Sequence, residues 1–94
     1  MNPVRDVKMC YVYVIRSLSS EYWYTGVTND LRKRFSQHQK GPRGWTKQHR
    51  PYELIYYEAC RNINDAAARE KYLKTGTGKR YLENRLKRFL SLTG

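Results

Sequence analysis

Acidic residues are scarce in this chain. Eight Asp and Glu stand against 19 Lys and Arg in 94 residues, giving a formal charge of +11 and a pI near 10.0. A surface with that deficit attracts polyanions, and nucleic acid is the expected partner ahead of a membrane surface. Long apolar runs are also missing. The longest, Tyr11-Val12-Tyr13-Val14-Ile15, has the length of a strand and falls far short of the ~18 residues a membrane span needs. The first eight residues hold no apolar segment of the signal-peptide kind. Cysteine is limited to Cys10 and Cys60, with no CxxC and no His at ligand spacing, which excludes a structural zinc site of about four ligands. Each Cys sits in a strand-like run as a small hydrophobe, and a reduced, cytoplasmic chain is expected. No Ser–His–Asp set stands out. Gly76-Thr77-Gly78-Lys79 lacks phosphate-loop spacing and reads as the end of one helix and the start of the next.

The positive charge is clustered. Leu31 to Tyr52 carries seven cations (Arg32, Lys33, Arg34, Lys40, Arg43, Lys47, Arg50) and no acid. Arg69 to Arg88 carries eight more, offset only by Glu70 and Glu83. Basic clusters of this kind form the footprint of a nucleic-acid binder. The first cluster, with Trp45 inside it, reads as a loop that tracks a phosphate backbone through Arg32, Lys33, Lys40, Arg43, Lys47 and Arg50.

The length suits one domain. Residues 1–9 read as a loose leader and 10–94 as a single folded unit. Cys10–Ile15 and Tyr22–Thr28 are rich in aromatic and β-branched residues and are joined by a Ser-rich turn, which predicts an antiparallel hairpin. Asn29 or Asp30 caps a helix with Leu31 and Phe35 on one face, ended by Gly41-Pro42. Glu53–Cys60 is a third strand. Asn64 or Asp65 caps an Ala-rich helix that stops at Gly76, and Thr77 opens another with Leu82, Leu86, Phe89 and Leu90 on one side. The fold class is α+β: a three-stranded antiparallel sheet flanked by three helices, in the order β-β-α-β-α-α.

Three constellations could carry chemistry. Tyr11 and Tyr13 share a strand face, as do Tyr22, Tyr24 and Gly26. Gly26 leaves room for a close approach. These phenols either line a cleft or fill a half-buried sheet face. Arg34 and His38, four residues apart, lie together beside the Leu31/Phe35 stripe; an Arg there can fork onto a phosphate and a His can move a proton. Ile63, Ala66, Ala67, Glu70 and Leu73 mark an inward stripe with one carboxylate. Glu70 then needs a partner, either a cation, a hydrated Mg²⁺, or solvent at the stripe's edge.

Taken in order, these residues resemble the GIY-YIG endonuclease domain in its short stand-alone bacterial form. Tyr11-Val12-Tyr13 stands for the first motif and Tyr24-Thr25-Gly26 for the second. Asn29-Asp30-Leu31 with Arg34, His38 and Gly41 is similar to the helix motif, and Ala67, Glu70 and Leu73-Lys74 to the acidic one. The resemblance runs from about Cys10 to about Phe89. Tyr11 replaces the first Gly and Thr25 the second motif's Ile; the family's late Asn has Asn84 as its candidate. The resemblance implies metal-dependent hydrolysis of a phosphodiester, in DNA ahead of RNA, with one Mg²⁺ or Mn²⁺, in a repair or recombination setting. By that likeness Tyr13 assists deprotonation of the attacking water and Tyr24 orients water or phosphate. Arg34 stabilises the phosphate, His38 supports it, and Glu70 holds the metal, with Gly26 and Asn84 in support. Arg34 and the metal are expected to favour the Tyr13 phenolate. A non-catalytic nucleic-acid-binding module on the same scaffold is the alternative, followed by a small interaction domain. Monomer and homodimer are both open.

Overall fold

Val12, Tyr13, Val14 and Ile15 are each no more than 1% exposed, so this strand is covered on both faces and its side chains do not alternate between core and water. It is the middle strand of a three-stranded antiparallel sheet, ordered β2-β1-β3, in the computed structural model, which describes residues 7–41 and 45–92. Residues 1–6 of the expected leader and Arg43 lie outside the described residues, as does the side chain of Trp45. The strands are β1 (Cys10–Ser17), β2 (Trp23–Thr28) and β3 (Tyr52–Cys60). The helices are α1 (Leu31–Lys40), α2 (Ile63–Leu73), α3 (Gly76–Arg85) and the short α4 (Lys87–Leu92), with a 3-10 turn over Trp45–His49.

The two faces of the sheet hold separate clusters. Val12 and Val14 pack with Ala66 and Leu73 of α2 and Leu82 of α3. Tyr13 and Ile15 pack with Tyr52, Tyr22 and Tyr24, and with Leu31 and Phe35 of α1. The period-2 geometry of a strand assigns alternate residues of β1 to opposite helical layers. Register places Tyr13 opposite Gly26 and Ile15 opposite Tyr24. A shift between Val14 and Ile15 interrupts the pairing with β3.

The α+β order expected from the sequence holds, while several boundaries move. Asp30 caps α1 by accepting from the Lys33 amide at 3.1 Å. The cap of α2 is Asn62, not Asn64 or Asp65; its side chain accepts from the Asn64 amide at 2.8 Å. Thr75 rather than Thr77 caps α3. The last helical stretch breaks at Leu86, giving α3 and α4 in place of one helix. The α2 stripe is also narrower than expected. Ala66 and Leu73 are buried, whereas Ile63 is 51% exposed and Ala67 faces water.

Two features fix α2. Arg69 donates from Nε to both Glu58 oxygens of β3, at 2.9 and 3.0 Å, and its guanidinium lies near the rings of Tyr72 and Tyr81. Burial works against the Glu58 carboxylate, but hydrogen bonds from Arg69 and Tyr56 hold its pKa below the ordinary value. At the α2–α3 corner, a Cβ on Gly78 would fall 2.0 Å from the Tyr72 carbonyl oxygen and 2.6 Å from the Leu73 Cα. Backbone cannot yield as a side-chain tip can. Gly78→Ala is therefore expected to destabilise the fold by about 2–3 kcal/mol, the cost of overpacking, read from urea unfolding midpoints. An unchanged midpoint would mean that the corner tolerates a wider crossing.

Candidate active site

The candidate site lies between α1 and the hairpin, on the sheet face that carries Tyr13. Tyr13 is 0% exposed, so its hydroxyl must be satisfied inside the protein. Its Oη lies 2.7 Å from His38 Nε2 and accepts from Arg34 Nε at 3.3 Å. The Tyr24 hydroxyl bonds to it as well. The His38 ring centroid is 4.7 Å from that of Tyr24, 5.7 Å from Tyr13 and 6.0 Å from Tyr52. Four of the five residues expected to act together, Tyr13, Tyr24, Arg34 and His38, thus form one connected group.

Local structure explains the convergence. The i, i+4 spacing on α1 turns Arg34 and His38 to one side. Tyr13 and Tyr24 come from paired strands, on the same face of the sheet. Gly26 supplies the space. A Cβ there would sit 2.6 Å from Tyr13 Oη and 2.8 Å from its Cζ. The glycine that the motif requires is thus the floor on which the phenol lies.

The expectation joins Arg34 with a metal; the protein's own groups alone do not make a ready phenolate. Burial pushes the Tyr13 pKa up to about 12, and Arg34, whose hydrogen bond pulls it down, does not overcome that. Desolvation disfavours the charged form, and it wins because the ring is wholly enclosed. Burial also lowers His38 to about 4, helped by the positive charges of Arg34 and Arg50. At neutral pH the pair is a neutral phenol and a neutral imidazole. Tyr22, one step along the face, is likewise raised to about 12 by burial and by neighbouring Tyr52 and Tyr24. Its ring stacks on His49 at 4.2 Å.

Glu70 stands apart from this group. It lies on α2, whose core residues pack on the other face of the sheet, and its carboxylate pairs with Lys74 at 3.0 Å. Its side chain is 27% exposed, at the rim of the core. The two regions approach at the outer edge of β2. There Tyr24, Thr25, Leu73, Lys74 and Thr75 line one groove of about 590 Å³. Lys74 therefore links Glu70 to the groove that Tyr24 borders.

Glu70 fits the singly coordinating, largely hydrated site that Mg²⁺ accepts. Its carboxylate is accessible, and its ion pair is with an exposed lysine that solvent can take back. Among the described residues no group of three His, Cys, Asp or Glu side chains could hold an ion.

The basic residues divide. Arg32, Lys33, Lys40 and Lys47 are exposed and can meet phosphates. Arg50 instead folds back onto α1, donating to the carbonyls of His38 at 2.6 Å, Gln37 at 3.3 Å and Gly41 at 2.6 Å. Asn84 lies exposed near the end of α3. The contacts that sequence reasoning missed are those of Arg50 and of Gln39, whose side-chain amide pairs with the Tyr52 backbone. A cation before a proline in a basic loop carries no signal that distinguishes a helix cap from a phosphate contact.

The neutral His38 has a consequence for stability. Between pH 6.5 and about 4 the folded protein binds fewer protons at His38 than the unfolded chain does, so stability is fully present above pH 6.5 and falls as pH drops toward 4. The expected loss from this group is about 2–3 kcal/mol. Urea midpoints of wild type and His38→Gln across that range check it: the wild-type curve should fall more steeply, and parallel curves would refute it.

Comparison with known proteins agrees with the geometry. The GIY-YIG catalytic domain family model matches residues 9–87. The chain is 37% identical to a UPF0213 protein of Clostridium perfringens over 80% of its own length and 81% of that protein. It is 37% identical to the UPF0213 protein YazA of Bacillus subtilis, over 80% and 79%. A UPF0213 protein of Desulfotalea psychrophila is 32% identical over 77% of this chain and 66% of that one. No solved structure matches. With the family model spanning both strands of the hairpin, α1 and α2, the chain belongs to the GIY-YIG catalytic-domain family.

Proposed function

We propose that this protein is a divalent-metal-dependent endonuclease that hydrolyses phosphodiester bonds in nucleic acid, DNA ahead of RNA. The observation that carries the reading is the Arg34–Tyr13–His38 chain of contacts, with Tyr24 joined to it at the opening of the β2-edge groove. Such a chain offers a phosphate a guanidinium and holds the phenols where they can orient a water.

Arg34 donates through Nε to Tyr13 and, being exposed, presents the rest of its fork to a phosphate, where charge grows in the transition state. A buried Tyr13 of pKa about 12 is not a phenolate at neutral pH and cannot serve alone as the base. It works instead as a link. Its oxygen accepts from Arg34 Nε and meets His38 Nε2 at 2.7 Å, with the Tyr24 hydroxyl as a further partner. Tyr24, half-buried at the groove, would orient the attacking water, whose proton leaves to the solvent there. Burial and two arginines keep the His38 imidazole neutral and make it a weak base, so its part is to hold the Tyr13 hydroxyl at 2.7 Å rather than to store the proton. Glu70 would hold the Mg²⁺ or Mn²⁺ ion, which when bound supplies Lewis-acid stabilisation of a phosphate or leaving oxygen. Arg32, Lys33, Lys40 and Lys47 would bind the backbone through phosphates, which position the strand without reading its sequence.

A panel of plain, gapped and branched DNA and RNA substrates with Mg²⁺ or Mn²⁺ tests the reading. Wild type should cut at least one substrate. Arg34→Ala should lose about 10²–10³ in rate, the loss that removing one donor to a developing anion brings. Glu70→Ala should lose metal-dependent cutting while its melting temperature holds. Failure of wild type on every substrate, with binding intact, would leave a nucleic-acid-binding module.

A further inference from the structure

His38 sits in the last turn of α1, where the Gly41 amide meets the Gln37 carbonyl at 2.8 Å and backbone carbonyls otherwise run out of partners within the helix. Its neighbours are fastened from outside. Arg50 Nε donates to the carbonyl of His38 itself at 2.6 Å, and Nη2 to those of Gln37 at 3.3 Å and Gly41 at 2.6 Å. The Gln39 side chain accepts from the Tyr52 amide at 2.6 Å and donates to its carbonyl at 2.9 Å. The turn that carries His38 is thus held between one guanidinium and the first residue of β3. A planar fork fixes direction as well as charge, which an ammonium does not, and a cation at a helix C-terminus is favoured by the dipole. With Nε and Nη2 on these carbonyls, Arg50 could fork onto a phosphate through Nε and Nη2 only by releasing them.

We infer that Arg50 is a positioning residue for His38, setting where the imidazole meets Tyr13, and is not one of the phosphate contacts of the basic loop. The kinetic part of this inference rests on the nuclease reading; the structural part does not. The ring it positions is faced by Tyr13 from β1, Tyr24 from β2, Arg34 from α1, Tyr52 from β3 and Arg50 itself. Moving the last turn of α1 alters the Tyr13–His38 contact, and misplacement by about 1 Å can cost up to ~10² in rate.

Arg50→Lys keeps the charge and loses the fork; Arg50→Gln loses the charge. With Arg50→Lys, kcat should fall about tenfold or more. KM should stay within about twofold, and the slope of log affinity against log salt should not change, since no phosphate contact is lost. Ring-proton NMR of the protein without nucleic acid should show weaker contacts between His38 and the rings of Tyr13 and Tyr24 in both variants. The His38 titration midpoint should rise in Arg50→Gln. A salt slope smaller by about one with unchanged kcat would make Arg50 a phosphate contact and overturn the inference. Unaltered His38 ring contacts in both variants would overturn it whatever the kinetics. If wild type cuts nothing, the nuclease reading fails separately and the NMR comparison alone decides this one. Should Arg50→Gln not fold, Arg50→Lys carries the ring contacts, the kcat–KM split and the salt slope.

Discussion

The hydroxyl of Tyr13 is the constraint around which the rest is arranged. A phenol with no exposure cannot leave its oxygen unbonded without a penalty of about 1–3 kcal/mol. It therefore requires a floor without a side chain, at Gly26, and partners above it, at Arg34 and His38. Those partners hold α1 at one angle against the sheet. The same enclosure that demands partners also removes water, and the loss of water keeps the phenol protonated and the imidazole neutral. Packing and proton affinity here have one cause.

The excess of positive charge separates into two populations. Arg16 pairs with Glu53 and lies over Phe89, Arg69 is held by Glu58, and Arg50 closes α1. These guanidiniums organise the fold. The population open to a polyanion includes Arg32, Lys33, Lys40 and Lys47, on and just after α1, and a second exposed set on α2 to α4 with Lys71, Lys79, Arg80 and Arg88 among it. Arg32 and Lys33 share α1 with Arg34, so part of the attraction for a phosphate backbone arises on the helix that carries the guanidinium of the site. The formal +11 overstates the charge available for binding.

Much of this was legible in the sequence. Three aromatic, β-branched runs and two Asx-capped helices gave the α+β order, because strand and cap signals are local. Tyr13, Tyr24, Arg34 and His38 could be grouped in advance, because strand alternation and helical i, i+4 spacing point them the same way. What escaped was what depends on competition between effects. Arg34 and a metal together suggested a phenolate; only the complete burial of the ring shows that desolvation prevails over Arg34. The cap at Asn62 rather than Asn64 or Asp65 could not be chosen among nearby Asx residues, and the inward stripe was drawn too wide, with Ile63 and Ala67 inside it. Glu70 took two of the partners it was offered, a cation in Lys74 and solvent at the rim. The break at Leu86 has no Gly or Pro to announce it.

Gln39 has one more consequence. β3 is an outer strand of the sheet, and such a strand offers bare amides and carbonyls to any extended chain that drifts past. At Tyr52 both groups are already taken by the carboxamide of Gln39, which imitates a neighbouring strand for the length of one residue. The helix that carries the arginine and histidine thus also plugs that end of the sheet against fibre-like stacking of one molecule on another.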